Sequence, residues 1–183
     1  MRKIFILILL IIVSVSFSGC VGKKGEAGLF LSEKEVKAKV KDWRVYTNPA
    51  FRYELRHPLA WRMETSGEDG KLTEFFISKQ SASKAFVIRG VSNWKENLTL
   101  EQYFAGQPED LFKAGYEQEE TTVSGEKAVW FKAVKRADLP INVIAVASED
   151  RILIIEIWTD WEDSLAVLNS IKFYPNKTFD GIK

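Results

Sequence analysis

The chain of 183 residues is 46% hydrophobic and 13% aromatic, which is enough apolar material for the core of one domain. Its 26 Lys and Arg residues nearly balance its 25 Asp and Glu residues, so the composition excludes the strongly basic class of nucleic-acid-binding proteins. The single cysteine excludes an intramolecular disulfide. These totals favour one folded domain without a nucleic-acid partner.

The first 19 residues have the pattern of a signal peptide. Arg2 and Lys3 precede an apolar run over residues 4–13, and serines interrupt the chain between that run and Gly19. A membrane-spanning helix needs roughly 20 apolar residues, whereas the apolar part of a signal peptide has about 7–15. We therefore expect residues 1–19 to be a signal peptide that is removed on export.

Cys20 follows this segment at the place of an acylated cysteine. The sequence Phe17-Ser18-Gly19-Cys20 resembles the lipobox of bacterial and archaeal lipoproteins, with Phe17 in the place of the usual Leu. Acylation would also explain a lone cysteine in an exported chain, which is otherwise a reactive thiol. We expect Cys20 to be the lipid attachment site and the first residue of the mature protein. The alternatives are an ordinary cleaved signal with an incidental cysteine and an uncleaved N-terminal anchor.

A lipidated tether and a short charged helix are predicted over residues 20–42. Ser32 and Glu35 have the spacing of a capping box, which begins a helix that runs to about Lys41. Few of its positions are apolar, so we expect this helix to pack weakly and to act as a spacer. Lysines and glutamates are interleaved along the stretch, which favours a solvated surface over a headgroup-binding patch. The apolar positions of the helix are Val36, Ala38 and Val40.

Strand patterns dominate from residue 43 onward. β-Branched and aromatic residues occur in short runs that are separated by turn residues such as Asn48 and Pro49. Only Glu149 and Asp150 separate the last two long runs, which predicts an antiparallel hairpin. Consecutive apolar residues in these two runs predict strands that are buried on both faces. The predicted strands are 43–47, 51–56, 61–63, 73–79, 85–92, 116–123, 127–136, 141–148, 151–158 and 171–174.

Two further helices are predicted among these strands. Thr99 and Gln102 have the spacing of a second capping box. Pro108 should interrupt the helix that follows and begin a second helical segment, which Gly115 closes. The last helix is predicted over about residues 160–170, where the apolar residues have helical spacing. Many antiparallel strands with few helices predict an α+β fold.

Residues 46–61 form the segment Tyr46-Thr47-Asn48-Pro49-Ala50-Phe51-Arg52-Tyr53-Glu54-Leu55-Arg56-His57-Pro58-Leu59-Ala60-Trp61. This segment resembles the opening motif of the PsbP-like (Mog1/PsbP) superfamily. In that family an aromatic residue, Gly, Phe and a second aromatic residue lead to Tyr-Pro and then to Trp. Two positions depart from the pattern, since Arg52 stands where Gly is common and His57 where Tyr is common.

Three later segments match the same superfamily in their order along the chain. Residues 100–103 match its Leu-Glu-x-Tyr helix, and residues 123–128 match its Val-Ser-Gly-x-x-Ala strand. Residues 170–173 match its closing Ser-Ile-Lys-Phe strand. The similarity covers about residues 43–174.

The resemblance implies an α+β fold with a central antiparallel β-sheet and helices on both faces, an α/β/α sandwich. This domain would cover residues 43–175 and precede a polar tail at residues 176–183. Known members are accessory or binding proteins, including a photosystem subunit and a nuclear-transport regulator, and many lipoproteins of unknown role. No functional residue of the photosystem subunit or the transport regulator can be carried over by position, so no catalytic, cofactor-binding or metal-binding residue is assigned from the resemblance.

Residues suited to catalysis or metal binding are sparse. His57 is the one histidine, and its place in the family pattern is aromatic, so we expect it to pack structurally. With Cys20 the only thiol and no HExxH motif, a zinc site is not expected. Acidic clusters could hold calcium, but charged surface turns are the simpler interpretation. These clusters are Glu68 with Asp69, Glu117 with Glu119 and Glu120, and Glu149 with Asp150.

The tryptophans are the remaining candidates for contact with a partner. Trp94 follows a predicted strand and precedes a polar turn, so it is the candidate for a partner or ligand contact, with partial burial as the alternative. Trp158 and Trp161 are expected to pack at the junction of the sheet and the last helix. Asn97 and Asn176 begin glycosylation sequons, whose use depends on the source organism.

Together these features predict a membrane-anchored extracytoplasmic lipoprotein that acts as a non-enzymatic binding or accessory module. Its expected partners are membrane lipid, through acylated Cys20, and an envelope protein or a small ligand. A cell-surface hydrolase and a purely structural envelope component are the alternatives. A deep pocket with two convergent carboxylates would favour the hydrolase, whereas a shallow aromatic groove would favour binding.

Overall fold

The computed structural model describes residues 31–93, 96–148, 150–159 and 161–174. The predicted signal peptide, the lipid attachment site Cys20 and the polar tail at residues 176–183 lie outside the described residues and stay predictions. The helices are α1 (Glu33–Lys39), α2 (Leu100–Ala105) and α3 (Trp161–Ser170). The strands are β1 (Arg44–Asn48), β2 (Tyr53–His57), β3 (Arg62–Ser66), β4 (Leu72–Phe76), β5 (Lys84–Ser92), β6 (Gln118–Val123), β7 (Glu126–Arg136), β8 (Leu139–Ser148), β9 (Arg151–Ile157) and β10 (Lys172–Phe173).

Seven strands form one antiparallel sheet in the order β3-β4-β5-β9-β8-β7-β6. Near its centre, β8 and β9 form the predicted hairpin, in which Ser148 pairs with Arg151. All seven residues of β9 are buried, because both faces of the sheet are covered at this point. The predicted α+β class with a central antiparallel sheet is confirmed.

One face of this sheet is covered by α3 and by a second, three-stranded sheet. Leu165 of α3 and Leu55 of β2 are buried in the same core cluster as Ile155 of β9. The small sheet has the order β1-β2-β10, in which Glu54 pairs with Lys172. The resemblance implied one central sheet. The domain has a second one because β1 and β2 pair with each other and with β10, and with no strand of the large sheet.

The opposite face of the large sheet is covered by α2 and the segment that follows it. Leu100 and Phe104 of α2 are buried with Phe131 of β7 and Ile152 of β9. The ring centroids of Phe104 and Phe131 lie 5.7 Å apart at a steep angle, a favourable edge-on contact. Helices therefore lie on both faces of the sheet, as the family resemblance implies.

The predicted second helical segment after Pro108 is wrong. Residues 111–115 form a turn, in which the Phe112 amide donates to the Asp110 carboxylate at 3.1 Å. The physical reason is tertiary, because the turn places the ring of Phe112 5.0 Å from the ring of Phe131. Gly115 ends the segment as expected, with a φ of 78°.

Helix α1 begins with the predicted capping box and packs more firmly than expected. The Ser32 amide donates to the Glu35 carboxylate at 2.8 Å, and the Glu35 amide donates to Ser32 Oγ at 3.3 Å. The expectation of weak packing is wrong, because Val36 and Val40 are buried against Ala166 of α3. The helix therefore forms an outer layer on α3.

Candidate functional site

A cavity of about 1130 Å³ lies on the α2 face of the large sheet. It is bounded by the start of α2 on one side and by strands β6, β7 and β8 on the other. We call this cavity the α2 groove. Its lining residues lie within 97–101, 120–122, 125–129 and 147–148.

Asn93 positions the wall of the α2 groove. Its buried side chain accepts a hydrogen bond from the Leu98 amide at 2.8 Å and donates one to the Leu98 carbonyl at 3.0 Å. Thr99 then caps α2, since its hydroxyl accepts the Gln102 amide at 3.3 Å and its amide donates to the Gln102 side chain at 2.8 Å. The predicted capping box is confirmed, and together these bonds hold the loop before α2 against the sheet.

The hairpin of β6 and β7 forms the floor of the α2 groove. Residues 124–125 have φ values of 50° and 86°, the left-handed geometry of a two-residue hairpin turn. This turn sets the register, which places Thr122 opposite Lys127 and Glu120 opposite Val129. Val129 packs against the core around α2, so these four side chains share the α2 face of the sheet.

Carboxylates outnumber cations along the α2 groove. Glu101, Glu120 and Glu126 line it, and Lys127 is the one cation among its described lining residues. The Glu126 carboxylate also accepts a hydrogen bond from the Ser148 hydroxyl at 3.2 Å. An acidic rim around small apolar side chains favours a ligand that carries both positive charge and apolar groups.

Strand β6 is an edge strand that runs beside the α2 groove. It lies at one end of the large sheet, with β7 as its hydrogen-bonded neighbour. Four of its six residues are exposed. An edge strand presents backbone donors and acceptors with which an extended segment can pair. Such a segment would direct alternate side chains toward the α2 groove.

His57 lies in the core and does not line the α2 groove. It is 4% exposed, with its ring 5.1 Å from that of Phe75 and its Nδ1 3.1 Å from the Pro58 carbonyl oxygen. Burial lowers the pKa of His57 below its ordinary value, because a poorly hydrated site disfavours the charged imidazolium. The predicted structural role is confirmed, and the groove contains no imidazole that could activate Ser148.

Side chains of two of the three predicted acidic clusters form ion pairs. Lys132 Nζ lies 2.5 Å from Glu117, and Asp150 pairs with Arg52. Glu149 lies outside the described residues. Within the described ranges, no group of three or more His, Cys, Asp or Glu side chains is placed to hold a metal ion. The ion pairs favour the interpretation of these residues as charged surface side chains. Glu119 and Glu120 lie on the edge strand β6 and not in a turn as expected.

Trp94 lies outside the described residues, so its contact with a partner stays a prediction. Trp158 and Trp161 are half-buried beside the two large core clusters, as expected at the junction of sheet and helix. The Trp158 indole donates to Glu156 at 2.9 Å, and Trp161 stacks on Trp130 at 6.3 Å between centroids. None of the described residues that line the α2 groove is aromatic.

The residues of the α2 groove were not predicted as a site. They come from segments that are far apart in the chain, and the motifs within those segments, the capping box at Thr99 and the family matches at residues 100–103 and 123–128, indicate secondary structure and not a binding site. One local signal was present, since Ser124-Gly125 between two strand patterns predicts a tight hairpin that brings Thr122 opposite Lys127. The approach of α2 to this hairpin has no comparable signal.

Solved structures of low sequence identity share the architecture. The solution structure of cyanobacterial PsbP (CyanoP) from Synechocystis sp. matches with a TM-score of 0.52 at 14% identity, covering 85% of this chain and 100% of that protein. The fold is PsbP-like. A crystal structure from Bacteroides thetaiotaomicron matches with a TM-score of 0.53 at 8% identity over 73% of this chain. The match spans about half, 49%, of the Bacteroides protein.

These likenesses establish the PsbP-like fold alone, because identities this low say nothing of shared activity. No family model matches the chain, and no curated protein matches it. Across the part of the chain that the structure describes, no helix is long and apolar enough to cross a bilayer.

Proposed function

We propose that this protein is a membrane-anchored extracytoplasmic lipoprotein whose PsbP-like domain is a non-enzymatic binding or accessory module. The α2 groove is its binding surface. The observation that carries this proposal is the position of the groove beside the exposed edge strand β6. The groove and the strand together offer backbone hydrogen-bonding groups, small apolar side chains and an acidic rim. This combination is suited to binding a segment of another protein.

The ligand that best suits the α2 groove is an extended, positively charged segment of an envelope protein. Strand β6 offers backbone hydrogen bonds to an added strand. Val129 and Ala147 offer apolar contacts for its inward side chains. The carboxylates of Glu101 and Glu120 can pair with lysine or arginine side chains of the ligand.

Fluorescence anisotropy with two labelled peptides tests this ligand class. One peptide alternates Lys with Val and the other alternates Glu with Val, and each is titrated with the full-length protein in neutral detergent micelles. We expect the Lys-Val peptide to bind and the Glu-Val peptide not to bind. Glu101→Lys with Glu120→Lys should weaken the Lys-Val complex by roughly tenfold, since an exposed ion pair contributes up to about 1 kcal/mol.

A matched charge reversal elsewhere on the surface is the control for this experiment. Glu64 and Glu68 are exposed and do not line the α2 groove, so Glu64→Lys with Glu68→Lys should leave the affinity unchanged. Equal binding of the two peptides, or an equal loss in the control variant, would contradict recognition at the groove.

The hydrolase alternative would place its chemistry in the same groove. Ser148 and Glu126 form a hydroxyl–carboxylate pair there, but the one imidazole of the chain is buried elsewhere. The proposal predicts no turnover, so p-nitrophenyl esters and glycosides should be hydrolysed no faster with wild-type protein than with Glu126→Gln. Wild-type turnover that disappears in Glu126→Gln would establish the hydrolase instead.

The lipid anchor is tested separately at Cys20. The lipobox-like segment and the absence of any second cysteine support acylation at this thiol. We expect Cys20→Ser to abolish incorporation of labelled palmitate in cells, whereas Ser18→Ala should retain it, because a small residue still precedes the cysteine. Unchanged labelling of Cys20→Ser would exclude Cys20 as the attachment site.

A further inference from the structure

A second cavity, of about 550 Å³, lies between α1, the end of β2 and the C-terminal end of α3. Positive charge dominates its charged lining, with four cationic side chains and one carboxylate. We call this cavity the basic cleft. Its charged residues are Lys37, Lys41, Arg56, Lys172 and Glu33.

The fold gathers the cations of the basic cleft from three parts of the chain. Lys37 lies in α1 and Lys41 in the turn that follows it, Arg56 lies on β2 and Lys172 lies on β10. The Arg56 guanidinium donates to the Val40 carbonyl at 3.5 Å, which joins β2 to the end of α1. The interleaved lysines and glutamates of residues 20–42 favour a solvated surface when the sequence is considered alone. The folded chain adds Arg56 and Lys172 to the lysines of α1, and the basic cleft depends on this addition.

The basic cleft keeps an excess of positive charge after its internal ion pairs are counted. Lys37 Nζ lies 2.7 Å from Glu33, and Lys172 Nζ lies 3.2 Å from Glu54. The side chains of Lys37 and Glu33 are 75% and 83% exposed, so water screens their attraction. Four cations and two carboxylates leave a net charge of +2 at the cleft.

The basic cleft and the α2 groove lie on opposite sides of the large sheet. Helix α3 packs on one face of the sheet, and α1 packs on the outer side of α3 through Val36 and Ala166. The α2 groove lies on the other face. Leu31, which lines the cleft, follows Cys20 by eleven residues, a length that spans at most about 40 Å.

We propose that the basic cleft contacts the anionic headgroups of the membrane that holds Cys20, so that α1 faces the bilayer and the α2 groove faces away from it. The inference rests on the proposed function in one respect, the acyl anchor at Cys20. An acyl chain and a basic surface reinforce each other, because the tether keeps the cations near the negative surface potential. Lysine and arginine donate strong, charge-assisted hydrogen bonds to headgroup phosphates. The orientation leaves the groove accessible to other envelope proteins.

Residue-resolved acetylation of lysines tests this orientation on the acylated protein. The protein is reconstituted in vesicles of phosphatidylcholine, alone or mixed with phosphatidylglycerol, and its acetylation is followed by mass spectrometry. Acetylation of Lys37, Lys41 and Lys172 should be about fivefold slower on the anionic vesicles, and high salt should remove the difference. Lys113 and Lys135, which are exposed elsewhere, should react equally on both vesicles.

A pair of arginine variants provides a matched control. Arg56→Gln removes a cation of the basic cleft and should reduce the protection of its three lysines. Arg89→Gln removes an exposed cation of β5 that does not line the cleft, and it should leave the protection unchanged. If the three lysines were equally protected from acetylation in both variants, the proposed contact between the basic cleft and the headgroups would be overturned.

The remaining outcomes separate the headgroup contact from the anchor. A wild-type protein that does not float with phosphatidylcholine vesicles lacks the anchor, and the inference falls with it. A protein that floats on both vesicles with equal lysine acetylation keeps the anchor and overturns the headgroup contact. Equal protection by inorganic phosphate in neutral detergent micelles also overturns it, since the cleft would then bind a soluble phosphate.

Discussion

At the scale of single residues, Gly90 of β5 lies directly against the ring of Phe51. A Cβ at position 90 would lie 2.5 Å from Cγ and Cδ1 of Phe51, which is buried at 9% exposure and has little room to move. We predict that Gly90→Ala lowers the free energy of unfolding by about 2 kcal/mol, because overpacking of a core costs this order of energy. The measurement is the midpoint of urea unfolding of the full chain.

Gly106 provides the matched control for this substitution. It ends α2 with a φ of −90°, and a Cβ there would meet its nearest neighbour at an ordinary 3.5 Å. Gly106→Ala should change the free energy of unfolding by no more than about 0.5 kcal/mol. A Gly90→Ala protein that unfolds at the wild-type urea concentration would contradict the close contact with Phe51.

The buried imidazole of His57 makes stability depend on pH. Burial lowers the pKa of His57 in the folded state, the positive charge of Arg44 lowers it further, and the Pro58 carbonyl partly opposes them. The unfolded chain, with a pKa of about 6.5, therefore binds the proton more readily. Protonation of His57 therefore favours unfolding. The contribution of neutral His57 to the stability of the fold is present above about pH 6.5 and is lost as pH falls toward the pKa of the folded state.

His57→Phe isolates this contribution, since it keeps an aromatic ring beside Phe75 and removes the titrating group. Urea unfolding of both proteins at about pH 7.5 and about pH 5.5 measures the difference. We expect the wild-type protein to lose more stability over this interval than the variant. The same loss in both proteins would assign the pH dependence to carboxylates.

Arg52 shows what the sequence can predict at one position. The family pattern commonly has Gly there, and the φ of 49° explains why, because a left-handed backbone favours glycine. The ion pair of Arg52 with Asp150 could not be predicted, since Asp150 lies in the distant turn between β8 and β9. A local conformation can follow from a motif, whereas a partner depends on the fold.

At the scale of elements, two valines hold α1 on α3. Val36 and Val40 are buried against Ala166, and burial of a valine side chain contributes roughly 1.5–3 kcal/mol. We predict that Val36→Ser with Val40→Ser releases α1 from the domain while the large sheet stays folded. Hydrogen-exchange mass spectrometry should then show faster exchange over residues 33–40 and unchanged exchange in β8 and β9.

The exposed Ala38 offers a control on the same helix. Ala38→Ser makes a similar change in polarity without removing a buried contact, so exchange over α1 should stay slow. Slow exchange in the double valine variant would contradict the packing argument. It would show that ionic contacts, such as Lys39 Nζ with Asp163 at 2.7 Å, are sufficient to hold the helix.

Elements that depend on neighbouring residues could be predicted, and elements that depend on distant contacts could not. The hairpin of β8 and β9 follows from a two-residue turn between apolar runs. The acidic residues after Pro108 favour a helix locally, but the contact of Phe112 with Phe131 stabilises a turn. Strand β10 was predicted, yet its pairing with β2 was not, because two residues of strand carry no signal for a partner.

At the scale of the whole molecule, both candidate surfaces come from long-range contacts. The α2 groove joins residues 97–101 to 120–129 and 147–148, and the basic cleft joins α1 to β2 and the end of α3. The spacing of apolar residues along the sequence and the turn residues between them predict the α+β class. They do not predict strand order, and a shift of one residue in β6 would turn Glu120 to the opposite face of the sheet. The surfaces therefore required the tertiary structure.

The large sheet separates these two surfaces, so we predict that they act independently. Substitutions at distant sites without shared partners are close to additive. Glu101→Lys with Glu120→Lys should leave the protection of Lys37 and Lys41 on anionic vesicles unchanged. Arg56→Gln should leave the affinity for the Lys-Val peptide within about twofold of the wild-type value.

Ionic strength distinguishes separate surfaces from a general effect of net charge. At physiological salt the screening length is about 8 Å, so a charge change on one side of the sheet should have little effect on the other side. At low salt the lysines introduced by Glu101→Lys with Glu120→Lys should strengthen the attraction of the protein to anionic vesicles, because an added positive charge then acts from any position on the surface. If either variant altered both measurements at physiological salt, the groove and the cleft would be coupled through the sheet. Such coupling would contradict a molecule with one layer facing the membrane and the opposite layer facing its partner.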